Sequence, residues 1–157
     1  MPSKKLKEFL DSHEIKYISI SHSPAYTAQE IAGAAHIPGR CMAKTVMVTV
    51  GDKMAMVVLP AECRVDFDLL KEVTGAEKVE LAGEQEFMEL FPDCDVGAMP
   101  PFGNLYGLEV YAEESLARND EIAFNAGTHS EIIQLAYRDF DKLVKPEVLN
   151  FAYYVSV

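Results

Sequence analysis

The stretch Gly97-Ala98-Met99-Pro100-Pro101-Phe102-Gly103 limits the fold more than any other part of the chain. Proline lacks an N–H and fixes φ, while glycine supplies backbone angles that other residues resist, so neither a helix nor a central strand can pass through. The run must make a stiff bend. Its N–H and C=O groups are then free to point at a ligand instead of joining a ladder. Phe102 in that bend has either a core or a ligand to cover.

On either side of the bend, periodicity gives the elements in order. Ser3 to Glu14 reads as a helix with Leu6, Phe9 and Leu10 on one face, and Tyr17 to Ile20 as a short strand. Thr27-Ala28-Gln29-Glu30 has the form of a capping box, which predicts a helix from there to about His36. Ala43–Val50 and Met54–Leu59 read as a hairpin turning at Gly51-Asp52. A helix is expected from Asp66 to about Val73, stopped by Gly75, and another from Glu84 to about Leu90. Gly107–Tyr111, Ile122–Phe124 and Glu131–Tyr137 read as strands and Asp139–Val144 as a helix. The apolar residues of Phe151–Val157 suit an edge strand, a core contact or a second subunit. Strands interspersed with helices over 157 residues predict a single mixed α/β (α+β) domain spanning residues 1–157.

A formal charge of −11 argues against a long nucleic-acid footprint, since phosphate contacts need clustered Lys and Arg. Arg40 and Lys44 are close enough in sequence to make one small basic spot. Cys41, Cys63 and Cys94 are widely separated and form no C-x-x-C pair, so they fit neither a disulfide framework nor a zinc site. No apolar run approaches the roughly 20 residues of a membrane helix, and the charged N-terminal segment lacks a signal-peptide core. A cytoplasmic protein without metal or cofactor is expected.

The chain is poor in side chains for acid–base work. It has no G-x-S-x-G elbow, no H-E-x-x-H, and no nucleotide-binding glycine pattern. His129 is a candidate base, but the sequence shows no paired carboxylate for it. Lys44, at the start of a strand among apolar neighbours, is either an edge lysine that snorkels to water or a cation at a pocket rim.

Taken in order, His22-Ser23-Pro24-Ala25-Tyr26-Thr27-Ala28-Gln29-Glu30, Lys44-Thr45, the Gly97–Pro101 bend and Asn125-Ala126-Gly127-Thr128-His129 resemble the YbaK/prolyl-tRNA-synthetase-associated editing domains. These are small aminoacyl-tRNA deacylases. The resemblance implies a largely antiparallel mixed sheet with helices around it. It also implies that Lys44, in its pair with Thr45, is required for activity and holds the terminal adenosine or its phosphate. Gly97 and Pro101 then belong to a G-x-x-x-P loop, with Met99, Pro100, Phe102 and Gly103 beside them, that shapes the pocket and places the amino acid. A vicinal ribose hydroxyl helps to activate water. Thr27 is implied at the pocket mouth; beside the resemblance, Arg40 is expected with Lys44 in the basic spot next to the site and Met99, from its place in the loop, at the pocket floor. His129, with Ala126, Gly127 and Thr128, matches the segment of the alanine-removing branches.

The resemblance therefore implies action in trans on the acceptor end of mischarged tRNA(Pro), Ala-tRNA(Pro) first, with a weak association with prolyl-tRNA synthetase. A deacylase of Cys-tRNA(Pro) or Ser-tRNA is the rival in the same class. A non-catalytic module that binds tRNA or an amino acid is the rival from another.

Overall fold

The computed structural model describes residues 4–21, 37–92, 94–95 and 98–154. The expected helix from Thr27 to His36 lies outside them. Helix α1, Lys4–Ser12, buries Leu6 and Leu10 as its spacing requires. Strand β1 follows at Tyr17–Ser21. Strands β2 (Ala43–Val50) and β3 (Lys53–Pro60) form the predicted hairpin, in full antiparallel register from Ala43 opposite Pro60 to Val50 opposite Lys53. Gly51 turns it at φ 63°, a left-handed conformation that glycine adopts without strain.

Beyond β3 come β4 (Cys63–Val65) and α2 (Phe67–Thr74). The Asp66 side chain caps α2 by accepting from the Leu69 N–H at 3.1 Å, and Gly75 ends it at φ 74°. Next are β5 (Val79–Leu81), α3 (Glu84–Met88) and a 3₁₀ turn over Gly103–Tyr106. The remaining elements are β6 (Glu109–Glu113), α4 (Glu114–Ala117), β7 (Glu121–Asn125), β8 (Glu131–Ala136), α5 (Tyr137–Val144), β9 (Glu147–Leu149) and β10 (Ala152–Tyr154). Helix α5 starts two residues before its expected position. Tyr137 continues the alternation of Ile133 and Leu135 in sequence, yet its ring packs on Phe140 at 5.6 Å, a contact that helical spacing makes.

Five strands form one sheet in the order β5-β2-β3-β6-β9 and three form another in the order β1-β8-β7, while β10 pairs with β4. The ladders β3–β6 and β6–β9 are parallel and the other five antiparallel, which is the expected mixed, largely antiparallel arrangement. A parallel bridge between Met42 and Ala123 joins the two sheets at the start of β2. The larger core fills the face of β2 that carries Ala43 and Met47 and includes Phe102, Phe124 and Phe140. On the other face Val46, Val48 and Val50 pack with Leu59, Cys63 and Phe151. Phe151 is fully buried and β10 is an edge partner of β4, so the C-terminal segment supplies both a core contact and a strand.

Candidate active site

Two loops meet at the end of β7. The Asp95 N–H donates to the Gly127 carbonyl at 2.8 Å, and the Gly127 N–H donates to the Ala98 carbonyl at 2.9 Å. Gly127 makes this exchange at φ 99°, which a side chain would resist. The Ala126 N–H donates to Glu131 at 3.1 Å, and the Thr128 hydroxyl accepts from the Ser130 N–H at 3.4 Å. The backbone of Ala126-Gly127-Thr128-His129 is thus fixed against the proline bend. His129 is half-buried, with Nδ1 turned away from solvent.

Much of the bend itself belongs to the core. Phe102 is fully buried, with ring centres 5.4 Å from Phe124, 5.7 Å from Phe140 and 6.2 Å from Phe9. Met99 is buried in the same cluster, and Pro100 and Pro101 are buried as well. Phe102 and Met99 therefore cover core and not a pocket floor. Gly103 is a packing glycine: a Cβ there would stand 2.7 Å from Val110 Cγ2 and 3.0 Å from the Leu108 carbonyl oxygen. Gly97 and Thr27 lie outside the described residues.

Alternation along β2 decides where Lys44 points. Ala43 and Met47 face the larger core, so Thr45 goes with them, while Lys44 lies on the opposite face between Met42 and Val46. The isolated bridge between Met42 and Ala123 is parallel. Lys44 stands two residues after Met42 and Asn125 two after Ala123, so alternation puts both on the face that the bridged pair shares. Met42, Ala61, Ala123 and Ile132 form a small buried apolar cluster on that side.

Lys44 is half-buried, and desolvation holds its amine below the ordinary lysine range, an effect that Cys63 partly offsets and Arg64 reinforces. Arg64, brought in by the β3–β4 turn, is the cation felt at Lys44. Arg40 is exposed, and its carbonyl accepts from Asn119 Nδ2 at 2.9 Å, so its backbone is anchored to the α4–β7 turn. Cys63 is buried, and desolvation, followed by Glu62 and Glu113, pushes its thiol up against the opposing pull of Lys44. A raised thiol stays protonated and is no nucleophile. The Cys41 thiol donates to Asn119 Oδ1 at 3.5 Å.

Among the described residues no three His, Cys, Asp or Glu side chains gather as metal ligands. A broad open groove of about 1040 Å³ lies elsewhere, between β1, β8 and the start of α5. Its lining sets Glu14, Asp120, Glu121, Asp139 and Asp141 against Lys16 and Arg138, a net acidic wall that disfavours a polyanion. The Lys44 face is the better candidate: a desolvated cation, a small buried apolar cluster and a loop pinned by backbone bonds. Such a place can hold an ester beside a phosphate without offering a nucleophile of its own.

The sequence pattern of the aminoacyl-tRNA editing domain matches residues 22–143. The Escherichia coli (strain K12) multifunctional Ser/Thr-tRNA deacylase ProXp-y is 35% identical over 97 residues, 61% of this chain and 58% of that protein. The chain thus matches little more than half the length of that relative. The prolyl-tRNA editing protein ProX of Acetoanaerobium sticklandii is 26% identical over 142 residues, 87% of this chain and 86% of that one. Among solved structures, a candidate trans-editing enzyme for prolyl tRNA synthetase superposes with a TM-score of 0.82 at 19% identity, covering 97% of both chains. A hypothetical protein gives 0.83 at 20% identity, covering 96% of this chain and all of the other. These two likenesses establish the fold.

Proposed function

Because the chain belongs to the aminoacyl-tRNA editing domain family, we propose that it is a trans-acting deacylase that hydrolyses the ester of mischarged tRNA(Pro). The observation that carries the reading is the half-buried Lys44 at the edge of a buried apolar cluster, near two loops locked together through Gly127. Lys44 holds the terminal adenosine or its phosphate. The loop backbone places the carbonyl, and a ribose hydroxyl orients the attacking water. Water adds to the carbonyl carbon, the tetrahedral oxyanion collapses, and the C–O bond to the ribose breaks to release free amino acid and intact tRNA. Positioning and oxyanion stabilisation supply the rate, as suits a site with few acid–base groups.

For the amino acid, the likeness to a Ser/Thr-tRNA deacylase favours serine and threonine over the alanine that His129 suggested. An apolar synthetase pocket separates small side chains by only about 1–3 kcal/mol per methylene, so such esters need a second hydrolytic sieve. The same reading gives the protein a weak association with prolyl-tRNA synthetase. Single-turnover deacylation of Ser-, Thr-, Ala- and Cys-charged tRNA(Pro) tests it. Fast loss of serine and threonine is expected. Fast loss of alanine alone returns the reading to the alanine branch, and no turnover of any ester leaves a binding module.

A further inference from the structure

Among the described residues two polar or charged side chains are buried, Glu113 at 3% and Asn125 at 7% exposure. Glu113 is accounted for, since its Oε2 accepts from the Phe151 N–H at 2.7 Å. Asn125 is not. Its Oδ1 is shut off from solvent with no hydrogen-bond partner, at the last position of β7, opposite Ile132. A buried amide oxygen left unpaired costs stability and calls for a reason. Its surroundings give one. Asn125 shares the face of Met42, Ala123 and Ile132 with Lys44, and the fixed Ala126–His129 loop starts at the next residue.

We infer that Asn125 is the specificity-determining residue of this site, whose amide receives the β-hydroxyl of a seryl or threonyl ester. The inference rests on the deacylase reading above. A hydroxyl both donates and accepts, so it satisfies an amide from either end. A substrate ammonium at the same point would sit beside the Lys44 and Arg64 charges and be repelled. Ala61 and Ala123 offer nothing polar, so Asn125 is the group that distinguishes serine from alanine on this face. A site built to bond a hydroxyl discriminates against the analogue that lacks it, because the protein group is then left buried and unpaired.

The experiment measures kcat/KM for Ser- and Ala-tRNA(Pro) in the wild type and in Asn125→Leu and Asn125→Ala, with thermal melting of each. The seryl-to-alanyl ratio should fall about 10-fold or more, because one unpaired polar group is removed from the site, while alanine removal stays within about threefold. The melting temperature of Asn125→Leu should hold or rise, as the unpaired Oδ1 has no bond to lose. Equal losses on both esters would overturn the inference and assign Asn125 to a group common to all substrates; unchanged rates on both would overturn it too. Binding of 3′-seryl- and 3′-alanyl-amide analogues of adenosine to the wild type gives a reading that needs no variant to fold. Tighter seryl binding supports the inference and equal affinities overturn it. A protein that hydrolyses no ester yet prefers the seryl analogue keeps the hydroxyl site while losing the deacylase reading.

Discussion

Gly103→Ala separates a packing role from a ligand role within the proline bend. The added Cβ would stand 2.7 Å from Val110 Cγ2, 3.0 Å from the Leu108 carbonyl oxygen and 3.3 Å from Leu108 Cβ. None of these can yield cheaply. Val110 is buried and paired with Met56 across the β3–β6 ladder, and the Leu108 N–H is bonded back to the Gly103 carbonyl at 2.9 Å. Overpacking of this kind costs about 1–3 kcal/mol. At about 2–4 °C per kcal/mol for a domain of this size, the melting temperature should fall by about 2–12 °C. Differential scanning calorimetry reads the shift, and single-turnover deacylation well below the transition reads the site. Because Gly103 touches core and not substrate, the rate per folded molecule and KM should stay near wild type. An unchanged melting temperature with a raised KM would refute the steric argument and return Gly103 to the pocket.

Two further substitutions probe the Lys44 face. Lys44→Met should abolish most deacylation, about 100-fold or more if the cation acts in the transition state, while circular dichroism shows an intact fold. Its melting temperature should not drop, since methionine suits a half-buried apolar setting better than an ammonium; a collapsed spectrum would make Lys44 structural. For Glu113, burial raises the carboxyl above its ordinary 4.5, against the pull of the Phe151, Ser115 and Ala152 N–H groups. A carboxyl raised in the folded state contributes stability that is present below the unfolded value and lost as pH rises through the folded one. Glu113→Gln should therefore gain on the wild type, in melting temperature, as pH climbs from 4.5 towards neutrality; a gap that closes over that range would reverse the assignment.

The elements with strong periodicity were legible in the sequence: α1 from Leu6 and Leu10, the β2–β3 hairpin from its β-branched run, and α2 from Asp66 and Gly75. Short pieces were not. Strands β4 and β9 are three residues each, too brief to show a period, and exist because β10 and β6 lie beside them. At the site, sequence order identified Lys44 and the loop at Gly127 but not which face each occupies. Thr45 and Phe102 look equivalent to Lys44 until alternation turns Thr45 to the opposite face and ring contacts send Phe102 to the core. Arg64 carried no local signal, and Asn125 stood in a matched motif without a role of its own. One matters because a turn returns it to β2, the other because a single bridge sets β7 beside β2.

Strand β4 carries Cys63 and Arg64, both of which bear on the Lys44 charge, and its ladder partner is β10, with Tyr153 opposite Arg64. The strand that carries Arg64 is therefore held at its edge by residues that follow both sheets in the chain. Both sheets are complete by β9, whereas β4 has its ladder partner only in Ala152–Tyr154, so removing that segment unpairs the strand that carries Arg64 and takes no strand from either sheet.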